Sequence, residues 1–124
     1  MTPYEQIGGD DAVRAIVERF YDLMDSRPDC AELRALHAAD LAHARKKLYM
    51  FLSGWLGGPP LYIEQYGHPR LRARHLPFAI DADGRDQWMR CMEQALNEAP
   101  MDPAFRGETI QALERLATHM INRD

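Results

Sequence analysis

Apolar residues recur along this chain at helical spacing, and no segment sustains the two-residue alternation of a half-buried strand. Val13, Ile16, Val17, Phe20 and Met24 form the first stripe, with Tyr21 at its edge, four residues after Val17. Gly8-Gly9 breaks the chain before it, Asp10 is the expected N-cap, and Pro28 ends it. A short helical piece follows over 31–37, with Leu33 and Leu36 inward. The next stripe is Leu41, Ala44, Leu48, Phe51, Leu52 and Trp55, with Asp40 as its expected cap. Arg45 and Lys46 read as its solvent face and Lys47 as a boundary position. Gly57-Gly58-Pro59-Pro60 stops this helix, since glycine closes a helix end and proline cannot continue one. Positions 57–70 read as a long loop, with Tyr62, Ile63 and Tyr66 arguing against plain disorder. Asp83-Gly84 reads as a turn before a helix over 85–99, whose inward face is Trp88, Met92, Ala95 and Leu96. A linker bracketed by Pro100 and Pro103 leads to a last helix over 103–121, with Ile110, Leu113, Ala117, Met120 and Ile121 inward. The pattern predicts an all-α fold of four main amphipathic helices, two before and two after a loop.

That loop carries the chemistry. Arg70, Arg72 and Arg74 alternate into His75, and the chain then turns apolar at Leu76-Pro77-Phe78. Cations beside an imidazole suit an anionic group held next to a metal ligand, and a gap between the helix pairs suits a flat one. The plainer reading is a solvated basic turn with a surface histidine. Composition narrows the choice. The chain has 124 residues, expected to form one domain over 1–124, and 46 % of them are apolar. A net charge of −4 argues against a nucleic-acid partner held through phosphates. No apolar run approaches membrane-spanning length, and no basic-then-apolar leader is visible. Cys30 and Cys91 form neither a C-x-x-C pair nor a C-x-x-C-H motif, so reduced thiols and a cytoplasmic location are expected. Two rival readings follow from the residues alone. One is a cofactor-free α-helical interaction module. The other is a zinc site built from His37, His43, His68 and His75, whose spacings do not match tight structural zinc pairs.

Four segments in order resemble the truncated haemoglobins of the second group, and the resemblance covers nearly the whole chain. They are the glycine pairs Gly8-Gly9 and Gly57-Gly58, the dipeptide Phe20-Tyr21, the run from Trp55 through Gly67-His68-Pro69 to His75-Leu76-Pro77-Phe78, and Arg85 to Met92 around Trp88. The resemblance implies a two-over-two helical sandwich around haem b, with His75 as the proximal iron ligand. It implies Tyr21 and Trp88 over the distal face, Leu48 against the ligand, and Ala44 where many globins carry a distal histidine. Either His37 or Leu36 would complete the distal side. Lys47 and Arg74 match positions that pair with haem propionates, Arg72 and Tyr62 are softer candidates, and Arg70 is the expected bystander. Phe51, Phe78 and Met92 would serve as core and haem lining together. The function implied is reversible binding of dioxygen or another diatomic at a five-coordinate iron. Hydrogen bonds from the distal side would slow release, which suits sensing, scavenging or redox chemistry better than bulk oxygen transport. Peroxidase or nitric oxide turnover, an unidentified reductase, and a monomer or homodimer are all compatible with it.

Overall fold

The computed structural model describes residues 1–123. Four long helices carry the core: α2 (Asp10–Ser26), α4 (Ala42–Trp55), α7 (Ala82–Glu98) and α8 (Pro103–His119). Four short ones join them: α1 (Pro3–Ile7), α3 (Ala31–Ala35), α5 (Leu61–Tyr66) and α6 (Leu71–His75). No strand occurs among the described residues. The pairs α2/α4 and α7/α8 pack within themselves, and α2 against α7 joins the pairs. Phe20, Met24, Met92, Leu96 and Leu113 are the large side chains at the centre. Among the described residues, no helix is long and apolar enough to cross a membrane.

The long helices follow the apolar stripes, and their ends differ where capping decides. Asp10 is the first residue of α2, not its cap. Its carboxylate instead takes hydrogen bonds from the Tyr49 hydroxyl and from Arg14 Nε at 2.9 Å, tying α2 to α4. Asp40 accepts the Ala42 N–H at 2.8 Å, so it serves the start of α4 from one position further out than expected. Asp83-Gly84 is not a turn. It lies in the first turn of α7, because Asp81 caps that helix by accepting the Gly84 N–H at 2.8 Å. α8 is capped by Asp102, which accepts the Phe105 N–H at 3.1 Å, and it ends two residues short of the expected 121.

The expected loop over 57–70 contains α5, and α6 follows it directly. A five- or six-residue helix has too few turns to show a period, which is why neither is legible as a stripe. α1 is hidden for the same reason. Thr2 and Glu5 cap it reciprocally, and the Tyr4 N–H donates to the Leu56 carbonyl at 2.8 Å. This seats the Tyr4 ring on Gly58, where an added Cβ would lie 2.4 Å from a ring carbon. Cys30 and Cys91, 61 positions apart, meet with their sulfurs 3.3 Å apart as free thiols in the core.

Candidate functional site

His75 is the last residue of α6, and its Nδ1 lies 2.6 Å from the Leu71 carbonyl one helical turn back. A carbonyl can only accept, so Nδ1 carries the proton. In the neutral ring Nε2 then carries the lone pair, and it makes no hydrogen bond to any described residue. This is the protonation state in which imidazole binds a metal, with a second partner fixing the ring. After His75 the chain exposes apolar surface, with Leu76 at 49 % and Phe78 at 44 %. Such large apolar side chains, grouped beside a half-buried histidine, mark a surface suited to covering a ligand.

α2, α3 and α7 bring a second set of groups together. Tyr21 is only 6 % exposed, stacked edge-on to Phe20 at 4.8 Å and to the His37 ring at 6.0 Å. Burial drives its pKa well above the usual tyrosine value, against a smaller opposing effect of Arg45. The hydroxyl thus stays protonated, yet it makes no hydrogen bond to any described residue. Trp88 is half-buried and tilted against Phe20 at 5.1 Å, and its indole N–H likewise has no described partner. His37 lies just past α3, with Nδ1 3.0 Å from the Leu33 carbonyl, so its Nε2 is an acceptor in the neutral ring. Burial is the main cause that lowers its pKa, against the opposing hydrogen bond to Leu33, and the nearby Arg34 charge adds to the lowering. His37, not Leu36, has its ring against Tyr21, while Leu36 packs on the core.

α4 and α5 supply the flank. Ala44, Leu48, Phe51 and Trp55 are half-buried, so α4 keeps an apolar face that the helices only partly cover. Phe51 meets the buried Tyr62 at 6.5 Å, and Tyr62 meets Tyr66 at 4.9 Å. Lys47 Nζ sits 5.3 Å from the Tyr66 ring centre and the Arg74 guanidinium 5.7 Å from that of Tyr62. Neither Lys47 nor Arg74 forms an ion pair with a described carboxylate. In a chain of net charge −4, two cations left on one aromatic flank are suited to an anionic ligand.

Two expected site residues lie elsewhere. Arg72 Nη1 donates to the carbonyls of His119 at 2.6 Å and Ile121 at 3.0 Å, so its charge is committed to the end of α8. Met92 is 0 % exposed and lines a small apolar cavity with Ile16, Leu52, Trp55 and Leu96, so it presents no surface to a ligand. Arg70 precedes α6 in a left-handed conformation at φ 44°, its N–H donating to His68 Nδ1 at 3.1 Å, and its guanidinium makes no hydrogen bond to any described residue, in keeping with a bystander. The zinc alternative finds no geometric support: no group of three or more His, Cys, Asp or Glu among the described residues is placed to hold a metal. Gln87 is a contributor that periodicity does not reveal. Its side chain accepts the Leu33 N–H at 3.0 Å and donates to Asp83 at 3.0 Å, fastening α7 to the segment that carries His37.

These observations define two packed helix pairs, with an imidazole nitrogen on α6 and hydrogen-bonding groups on α2 and α7 that have no partner among the described residues. The family model described as bacterial-like globin matches residues 2–122. The chain belongs to that family, in its group II truncated, 2-on-2 branch. It is 40 % identical over 121 residues to the group 2 truncated hemoglobin YjbI of Bacillus subtilis (strain 168), covering 98 % of this chain and 89 % of that one. The cold-adapted truncated hemoglobin of Pseudoalteromonas haloplanktis TAC125 superposes with a TM-score of 0.97 at 45 % identity, over 100 % of both chains. The group II 2-on-2 hemoglobin of Agrobacterium tumefaciens gives 0.97 at 46 % identity, over 100 % of this chain and 96 % of that one. Membership brings haem-based binding of diatomic ligands. The residues present fit a haem. An imidazole with a free lone pair, a 94 %-buried tyrosine with an unpartnered hydroxyl, a part-covered apolar face and two unpaired cations match its iron, its ligand, its ring and its carboxylates in turn.

Proposed function

We propose that this globin domain, residues 1–124, binds haem b through His75 Nε2 and holds dioxygen or another diatomic reversibly. The observation that carries the reading is the hydrogen-bond state of His75: Nδ1 is engaged with the Leu71 carbonyl at 2.6 Å, leaving Nε2 as the available donor of an electron pair. Haem supplies an iron with one open position for the diatomic ligand. His75 fixes the group from one side, and its bond to Leu71 raises the basicity of Nε2. Lys47 and Arg74 hold the propionates. Leu48, Phe51 and Phe78 exclude water from the ring, and Ala44 leaves room beside the ligand.

Tyr21 and Trp88 donate to a ligand that carries partial negative charge. In a dry pocket a donor of this kind is worth about 1.5–3 kcal/mol. His37, with Nδ1 held by the Leu33 carbonyl, packs its ring edge-on against that of Tyr21 and flanks the distal side. Two donors slow ligand release. That favours scavenging, sensing or redox use over bulk transport, with electrons delivered by a separate cytoplasmic reductase to a monomer or homodimer. The test is a reversible cycle. Protein reconstituted with haem and reduced is exposed to air-level dioxygen, then to argon, while its visible spectrum is followed. An oxygenated spectrum that returns to the deoxy form under argon is expected. Immediate conversion to ferric protein without an oxygenated phase would contradict the reading.

A further inference from the structure

The helix that carries His75 is weakly built. α6 has five residues, well below the length at which a helix persists in water. It has no side-chain N-cap, starts from a non-glycine residue at φ 44°, and buries none of its side chains fully. Leu71 orients the His75 ring within α6, but α6 itself is held from outside, by the C-terminal segment. The Asn122 amide donates from Nδ2 to the His75 carbonyl at 3.2 Å and to the Phe78 carbonyl at 2.9 Å. Its Oδ1 accepts the Ile80 N–H at 3.0 Å. The backbone closes the same contact, with the N–H groups of Asn122 and Arg123 donating to the Ile80 carbonyl at 2.8 and 2.9 Å. Arg72, on the other side of His75, is held by the carbonyls of His119 and Ile121.

From this geometry we infer that Asn122 is a positioning residue for the proximal ligand, setting the place of His75 by gripping its own carbonyl and the loop that follows. The inference rests on the reading of His75 as the iron ligand. Only an amide serves here. It presents two donors and an acceptor from one planar group, and three separate backbone groups use them. Aspartate keeps the acceptor toward Ile80 but sets a carboxylate against two carbonyls. Alanine removes these three side-chain bonds, together with a longer one accepted from Arg123 at 3.4 Å, and leaves the two backbone ones. In both variants His75 stays bonded to Leu71, so any change reports on the position of α6 and not on the protonation of the ring.

The experiment compares wild type, Asn122→Ala, Asn122→Asp and His75→Ala as haem-loaded proteins, with circular dichroism as the control for folding. Two quantities are read: the rate of haem transfer to an excess of a competing apoglobin, and the iron–histidine stretching band of the deoxy ferrous form. Removing an outer partner of a metal ligand typically weakens binding by about 10–100-fold. Transfer is therefore expected to be roughly tenfold or more faster in both Asn122 variants, with the band shifted or broadened at unchanged helicity. Should Asn122→Ala fail to fold, Asn122→Asp decides alone. Wild-type transfer and an unchanged band in the folded variants, while His75→Ala loses the band, would overturn the role of Asn122 and leave the haem reading intact. A wild-type protein that shows no iron–histidine band would overturn the reading beneath it.

Discussion

At Tyr21, burial and charge act in opposite directions on one hydroxyl, and burial prevails, so the group remains a donor. Tyr21→Phe keeps the ring packing against Phe20 and His37 and deletes only that donor. A lost bond of about 1.5–3 kcal/mol corresponds to oxygen release roughly 10–150-fold faster, measured by stopped flow. Trp88→Phe is expected to act in the same direction. Unchanged release in both variants would remove the distal roles assigned to them. His37 makes the release pH-dependent. Its pKa is depressed below the ordinary 6.5, so it is neutral at pH 7 and its Nε2 accepts. Protonation adds an N–H and a positive charge beside the ligand. Release should therefore slow as the pH falls below about 6.5 and through the lowered pKa. In His37→Phe that slowing should vanish, and a profile identical to wild type would exclude His37 as its source.

Elements differ in how plainly the sequence declares them. α2, α7 and α8 run 17 residues each, long enough for their apolar stripes to repeat. The buried face of α2 follows its stripe, while α7 also buries Gln87, Met89 and Cys91 and α8 buries Phe105 and Thr109, with Trp88, Ile110 and Ala117 only half-buried. α1, α5 and α6 have only five or six residues and are held by caps, glycines and tertiary hydrogen bonds, which leave no periodic trace. The start of α7 was obscured by Asp83-Gly84, a strong turn signal overridden by the Asp81 cap two residues earlier. Gly58 shows how tightly these short pieces fit. The three atoms nearest to a Cβ placed there all belong to the Tyr4 ring, and all are too near for any real Cβ. Gly58→Ala must displace Tyr4 and with it α1. An overpacking cost of about 1–3 kcal/mol is expected, read as a lower thermal midpoint. An unchanged midpoint would mean that α1 moves aside without loss.

Across the whole molecule, candidate ligand residues were legible only through the segments that carry the family resemblance. The resemblance singles out His75, Tyr21 and Trp88 as candidates, and the fold sets them on three separate elements. Long flexible side chains were less legible: Arg72 and Arg74 are two residues apart, yet one serves the end of α8 and the other an aromatic flank. Met92 shares a stripe with Trp88, but burial of the α2–α7 contact assigns it to the core. Asn122 carries no sequence signal, since its role exists only once the chain end meets the α6–α7 loop. The half-covered apolar face of α4 implies that the folded protein gains stability by binding haem, through ordinary linkage. The central claim is that His75 holds that haem. Titrating haemin into the purified protein and into His75→Ala, with the Soret absorbance followed, tests it most directly. Wild type should saturate at one haem per chain with a sharp band, and His75→Ala should give a weaker, displaced band. A folded wild type that stays colourless, or a variant whose Soret band matches it, would contradict the assignment.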